Sequence, residues 1–273
     1  PAFLYNKIFR NDENANLYNY AVGTDEGEVT IHVSKKDDSS SLLPISNRQS
    51  ELFPGTEEDH EESVKVVPLT SVLSKDQISG SALLKIDVQG YEYEIIQHGK
   101  EKIKNSLVIQ LETSPIPLYK NEKTSSEVIY QLEKLGFSLH MFNKVNTKTF
   151  KPMKINNNIS QGLHHLFQLD CVMINNFQNI SSFSKEDLTK LILIMFYSFK
   201  SYDFVNYLIR IMDKKFNWNN KRILQQPQWE DKQLLKIVLK QIKEYGDLYE
   251  KGKAKFKERN EIYNLPQSQM SKK

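Results

Sequence analysis

The sequence predicts an α/β fold, a mostly parallel sheet with helices between its strands, followed by a helical C-terminal region. Three observations lead there. Ala82-Leu83-Leu84-Lys85-Ile86-Asp87 and Leu107-Val108-Ile109-Gln110-Leu111-Glu112 are apolar runs that each end in a carboxylate, the pattern of strands buried on both faces. A helix-like stretch follows each, so strand and helix alternate. After Asn175 the strand-like runs stop and apolar residues recur only at helical spacing. The chain therefore divides into an α/β region, 1–175, and a helical accessory region, 176–273, with a basic, polar tail.

Taken in order, Phe3 to Arg10 reads as a helix and Leu17 to Val22 as a strand, with Gly23 to Gly27 as a turn. Val29, Ile31 and Val33 alternate with polar residues, which predicts a second strand with one buried face, paired to the first as a hairpin. Residues 35–62, rich in Ser, Asp and Glu with Pro44 and Pro54, are expected to form a long surface loop. Val64 to Leu69 is a short strand and Thr70 to Leu73 a helical turn. Gly90 opens a helix carrying Ile95 and Ile96 and closing near Gly99. A further helix, about 125–135, stops at Gly136, a residue type suited to a helix C-terminus. Phe137 to Phe142 and Leu169 to Ile174 are two more strands. In the last region Ser184 with Asp187 marks a helix start, and Leu188, Leu191, Ile192, Met195, Phe196 and Phe199 make its apolar stripe. Tyr202 to Met212 and Leu234 to Tyr249 are also helical.

Composition narrows the function classes. The 273 residues include 14 Phe and 13 Tyr, enough for a substantial core, and one cysteine, Cys171. A lone cysteine excludes an internal disulfide framework and a Cys-rich zinc module, and with no signal peptide read at the start a cytoplasmic location is expected. No apolar run approaches the ~20 residues of a membrane helix. Residues 1–175 carry 18 basic against 23 acidic side chains, a net −5, whereas 176–273 carry a net +8. The acidic balance of the first region argues against a nucleic-acid substrate. The basic helices are either a solvated surface or the seat of an anionic partner. All ten glycines stand apart, so a P-loop and a full dinucleotide fingerprint are both missing, as are the serine-hydrolase elbow and the H-E-x-x-H zinc helix.

Three stretches, taken together, resemble the FkbM-type family of S-adenosylmethionine-dependent methyltransferases. They are Asn19-Tyr20-Ala21-Val22-Gly23 with Gly27-Glu28 and Ser39-Ser40-Ser41; Leu84-Lys85-Ile86-Asp87-Val88-Gln89-Gly90-Tyr91-Glu92; and Leu111-Glu112 with Pro117-Leu118-Tyr119 and Leu135-Gly136-Phe137. The second is the most specific, with Gln89 where the family usually has Glu. The resemblance implies a Rossmann-like methyltransferase fold over 1–175 and S-adenosylmethionine as cofactor. It also implies an N-terminal truncation, because the family's glycine loop and the acidic residue of its Glu-Pro step have no counterpart here; Pro1 fits the proline of that step. On this reading the strand ending at Asp87 lies beside an absent mid-sheet strand, leaving buried backbone groups unpaired at ~1–3 kcal/mol each. The chain is then expected to be a fragment of a longer protein that binds the cofactor poorly.

Candidate residues follow. Asp87 and Glu112 end neighbouring strands, where open α/β sheets bind ligands, and are candidates for general base or acceptor contact. The alternative for Asp87 is to cap the next helix or to pair with Lys85. By resemblance Ala21, Val22, Gly23 and Asp87 border the cofactor, and Ser40, Ser41 and Lys85 face the methyl acceptor; each strand end or serine run is also readable as an ordinary turn or loop. No metal is expected: the acidic run 57–62 lacks the alternating spacing of a cation loop. His164 and His165 cannot both face one site if extended, Cys171 reads as a small buried residue, and Trp218 and Trp229 read as packing. The expected activity is methylation of a hydroxyl on a sugar or secondary metabolite, with a small molecule or glycan as acceptor. The alternative is a non-catalytic interaction module derived from the same fold.

Overall fold

The computed structural model describes residues 18–72, 82–150, 152–158 and 161–216. The expected helices over 3–10 and 234–249, and both tryptophans, lie outside them. The chain divides into two compact units, Pro1–Ile180 and Ser181–Lys273.

The first unit holds two mixed sheets. In one, β1 (Ala21–Gly23) runs parallel to β3 (Glu58–Pro68), which pairs antiparallel with β2 (Gly27–Ser34), giving the order β1-β3-β2. The helix α1 (Asn47–Leu52) and the single turn α2 (Leu69–Val72) flank β3 in sequence. In the other sheet β4 (Leu83–Ile86) is parallel to β5 (Val108–Thr113), and the long strands β6 (Phe137–Lys148) and β7 (His165–Asn175) complete the order β4-β5-β7-β6 with antiparallel pairings. Helix α3 (Glu92–Ile103) joins β4 to β5, and α4 (Ser125–Lys134) leads into β6.

Period-2 alternation in β5 and β7 sends Ile109, Leu111, Leu169, Cys171 and Met173 to one face. There they pack with Ile95, Ile96 and Ile103 of α3 and Val128 and Leu132 of α4. Thr124 and Glu127 form a capping box at the start of α4, and Gly136, at φ +92°, ends it as its sequence position suggested. In the second unit α5 (Lys185–Tyr197) starts at Ser184, whose hydroxyl accepts from the Asp187 amide at 3.0 Å, and α6 (Tyr202–Phe216) follows. No helix among the described residues is long and apolar enough to cross a membrane.

Several expectations are corrected. The sheets are mixed rather than mostly parallel. The strands β1 and β2 do not form a hairpin; β3 lies between them. The alternation in β2 does not buy a buried face, for Val29 is 40% exposed. Residues 35–62 are not one loop. They contain α1 and half of β3, whose Glu61 and Lys65 stand opposite His32 and Glu28, so acidic residues are tolerated by cross-strand partners of opposite or neutral character. The run 82–87 is not buried on both faces. Among the described residues β4 has a strand on one side only, as expected of a strand at the edge of its sheet, and Leu83 and Lys85 are exposed. Finally, α3 runs through Gly99 to Ile103. A side chain there meets Leu69 Cδ2 at 2.9 Å, so this glycine is a close-packing point between α2 and α3.

Candidate active site

The turn after β4 is the centre of the site. Asp87 leaves the strand, and Gln89 and Gly90 both take positive φ, +51° and +92°, before α3 begins. For a glutamine that conformation is uncommon and persists only where its surroundings hold it. Four contacts hold it here. The Ser41 hydroxyl donates to the Gln89 carbonyl at 2.7 Å. The Gln89 amide Nε2 donates to Asp87 Oδ1 at 2.9 Å and to Glu112 Oε1 at 3.3 Å, and its Oε1 lies 3.1 Å from the Tyr119 hydroxyl. That hydroxyl is shared with the Ser39 carbonyl at 3.0 Å.

Glu92 closes the turn from below. Its Oε1 accepts from the amides of Val88 and Gly90 at 3.1 and 3.2 Å, and it is 3% exposed. Burial pushes its pKa up to about 8 despite those bonds, with Glu122 adding to the rise. Glu122 accepts in the same manner from the amides of Leu118 and Tyr119 and is also raised by burial. Both acids are structural ties for loops that border the site.

Glu112 projects from β5 on the face opposite the core, as do Asp170 and Gln168 of β7. Gln168 donates to Glu112 Oε1 at 2.6 Å and accepts from Asn146 at 2.7 Å, which fixes its amide orientation. Burial, then the charges of Asp87 and Asp170, push the Glu112 pKa up to about 7, against the lowering pull of Gln89 and Lys144. Asp87 is bound on its other oxygen by Lys85 Nζ at 2.7 Å, which raises the lysine pKa.

These groups line a cleft of about 830 Å³ whose walls include Tyr20, Ala21 and Val22 of β1, the Asp38–Leu42 segment, Tyr91 and Lys144. Of the residues picked from sequence, the structure brings Ala21, Val22, Ser40, Ser41, Asp87 and Glu112 to this one cleft. Gly23 and Lys85 are not in its lining. A side chain at Gly23 meets Val66 Cγ1 at 2.3 Å, so that glycine lets β1 approach β3, and Lys85 is spent on Asp87. The Ser41 hydroxyl is committed to the Gln89 carbonyl and the Leu43 amide, and the Ser40 hydroxyl accepts from the Ser34 amide. His165 lies elsewhere, against Phe150, and the buried Cys171 thiol is pushed up to about 12, which leaves it inert. The acidic run sits in β3, where Glu58 and Glu61 approach His32 at 3.2 and 3.3 Å.

Sequence reasoning missed Gln168, Tyr119 and Gln89 as site groups. The strand alternation around 167–171 does put Gln168 on the polar face with Asp170, but its partner Glu112 follows only from the β5–β7 register.

A family model, that of the methyltransferase FkbM domain, matches residues 1–139. The chain belongs to the FkbM methyltransferase family. The match runs from the first residue to the start of β6, so Asp87, Gln89 and Glu112 lie within the family domain, and Lys144, Gln168 and Asp170 lie beyond it. No curated protein and no solved structure matches the chain.

Proposed function

We propose that this FkbM domain transfers a methyl group from S-adenosylmethionine to a hydroxyl of a sugar or related secondary metabolite, with Glu112 as proton acceptor. The observation that carries the reading is the convergence of Asp87 and Glu112, cross-linked by Gln89, on the cleft bounded by the small residues of β1. The donor set suits the cofactor. Carboxylates match its sulfonium and ammonium charges, Ala21 and Val22 allow a ring to come close to the backbone, and the cleft volume is in the range of ligand pockets. When bound, S-adenosylmethionine supplies an electrophilic methyl carbon. Ala21 and Val22 would border the nucleoside, with Gly23 ending their strand just outside the cleft, and Asp87, held by Lys85 and Gln89, would accept hydrogen bonds from it.

Glu112 does the proton work. With a pKa near 7 it is a carboxylate for part of the time at neutral pH and basic enough to take a hydroxyl proton as the oxygen attacks. Gln168 and Gln89 keep its Oε1 in place, leaving Oε2 for the acceptor. The Ser39–Ser41 loop borders the acceptor side through its backbone, since the three serine hydroxyls are engaged, and Lys85 acts there only through Asp87.

Calorimetry of the protein at its natural full length with S-adenosylhomocysteine tests the reading. Micromolar binding that Asp87→Ala weakens at least tenfold supports it; no heat supports the non-catalytic interaction module instead. Transfer of labelled methyl to a panel of saccharides should rise about tenfold from pH 6 to pH 8, following the ionised fraction of a base near pH 7. Glu112→Gln should remove that rise.

A further inference from the structure

A second cavity, of about 800 Å³, lies beside the first between α1 and the far ends of β6 and β7. Its walls are mainly Leu52, Pro54, Ile116, Phe150 and Met153, with Lys148 among them. Lys148 is unusual. It is 7% exposed, yet among the described residues no carboxylate comes within ion-pair distance of it. Its Nζ lies 5.0 Å from the centre of the Phe53 ring and 5.7 Å from that of Phe167, two rings that meet edge to face. Aromatic faces compensate a cation only in part. Burial, with Lys36 nearby, draws its pKa below the ordinary lysine value. The stem of Lys148 is covered while its ammonium opens onto the cavity, so an anion entering the cavity reaches the charge without having to break an existing ion pair.

The rest of the rim has the same sign. Arg48, exposed on α1 and bonded to the Pro117 carbonyl at 3.2 Å, and Lys154 both reach this cavity. The one carboxylate in its lining, Glu51, is exposed and makes no ion pair with either lysine among the described residues.

We propose that this cavity binds an amphiphilic organic anion, its acidic head against Lys148 with Arg48 at the mouth and its apolar body against Leu52, Ile116 and Phe150. The head is a carboxylate or a phosphate monoester; both present the oxygens that an ammonium and a guanidinium select. The binding is independent of methyl transfer and is read without any cofactor. Phe53 nevertheless lines the first cleft and lies under Lys148, so the two cavities share a wall.

The experiment is a calorimetric titration of the full chain with dodecanoate, dodecyl phosphate and dodecanol, each below its micelle concentration. At least one anion should bind tenfold or more tightly than the alcohol, and the tighter of the two identifies the head. Lys148→Met should bring the anions to parity with dodecanol while circular dichroism shows an unchanged fold and a melting temperature no lower than wild type. If that variant unfolds, Ile116→Trp, which fills the cavity and leaves the lysine, should abolish binding of all three. Equal affinity for alcohol and anions in the wild type, no binding of any of them, or undiminished anion preference in Lys148→Met overturns the proposal.

Discussion

Gly90→Ala is a sharp probe of the turn that builds the site. Two separate costs act at this position. The backbone sits at φ +92°, which a side chain makes unfavourable by ~1–2 kcal/mol. The added methyl also comes 2.8 Å from Tyr119 Cδ2 and 3.3 Å from two carbons of Glu122, a buried contact that has to be relieved by moving the ring, at ~1–2 kcal/mol for overpacking of this size. Together they amount to about 3 kcal/mol, or roughly 6–12 °C in melting temperature for a unit of this length. The same displacement draws the Tyr119 hydroxyl away from Gln89 and Ser39, so the site loosens along with the fold. Scanning calorimetry of the full chain measures the shift. Gly27→Ala is the control, because a methyl there meets nothing within 4 Å and the backbone is ordinary extended strand; it should change the melting temperature by no more than ~1 °C. A Gly90→Ala protein that melts within 2 °C of wild type, by the same ~2–4 °C per kcal/mol conversion, refutes the claim that the turn is held by steric necessity.

Glu92 gives a pH prediction. Its native pKa of about 8 lies above the unfolded value, so between roughly pH 4.5 and 8 the native state binds more protons, and stability falls as pH rises through that window. Glu112, at about 7, acts in the same direction. Glu92→Gln keeps an acceptor oxygen for the Val88 and Gly90 amides and removes the titration. Relative to wild type it should gain on the order of 4 kcal/mol between pH 5 and pH 8.5, read from urea midpoints; a gap that does not widen with pH contradicts the assignment. In the second unit Ser184→Ala removes the cap of α5, and a loss of about 1 kcal/mol in urea denaturation is expected; an unchanged midpoint means that this helix start is held by packing alone.

How much of this was legible in sequence depends on where the physical signal lies. The helix stop at Gly136 and the helix start at Ser184 are local, set by backbone sterics and by a side chain three residues away, and they stand where the residues put them. The apolar face shared by Ile109, Leu111, Leu169 and Cys171 follows from period-2 alternation in the same way. The acidic half of β3 was not legible, because a strand whose sides both face water carries no hydrophobic alternation to betray it. Nor was the place of β1 beside β3, since a parallel pairing joins residues more than forty positions apart and leaves no turn signal between them.

The sequence by itself determined the family, the run of strands and helices from β4 to α6, and the place of Asp87 and Glu112 at the ends of neighbouring strands. These depend on residue identity at short range. Only the tertiary structure decided that Gln89 bridges the two carboxylates, that Gln168 from a distant strand fixes one of them, that Lys85 neutralises the other, and that Lys148 stands beside two phenyl rings with no carboxylate at ion-pair distance among the described residues. The reason is that electrostatics in a folded chain depend on which atoms are brought within a few ångströms and how much water is removed, and both are set by strand register rather than by spacing along the chain.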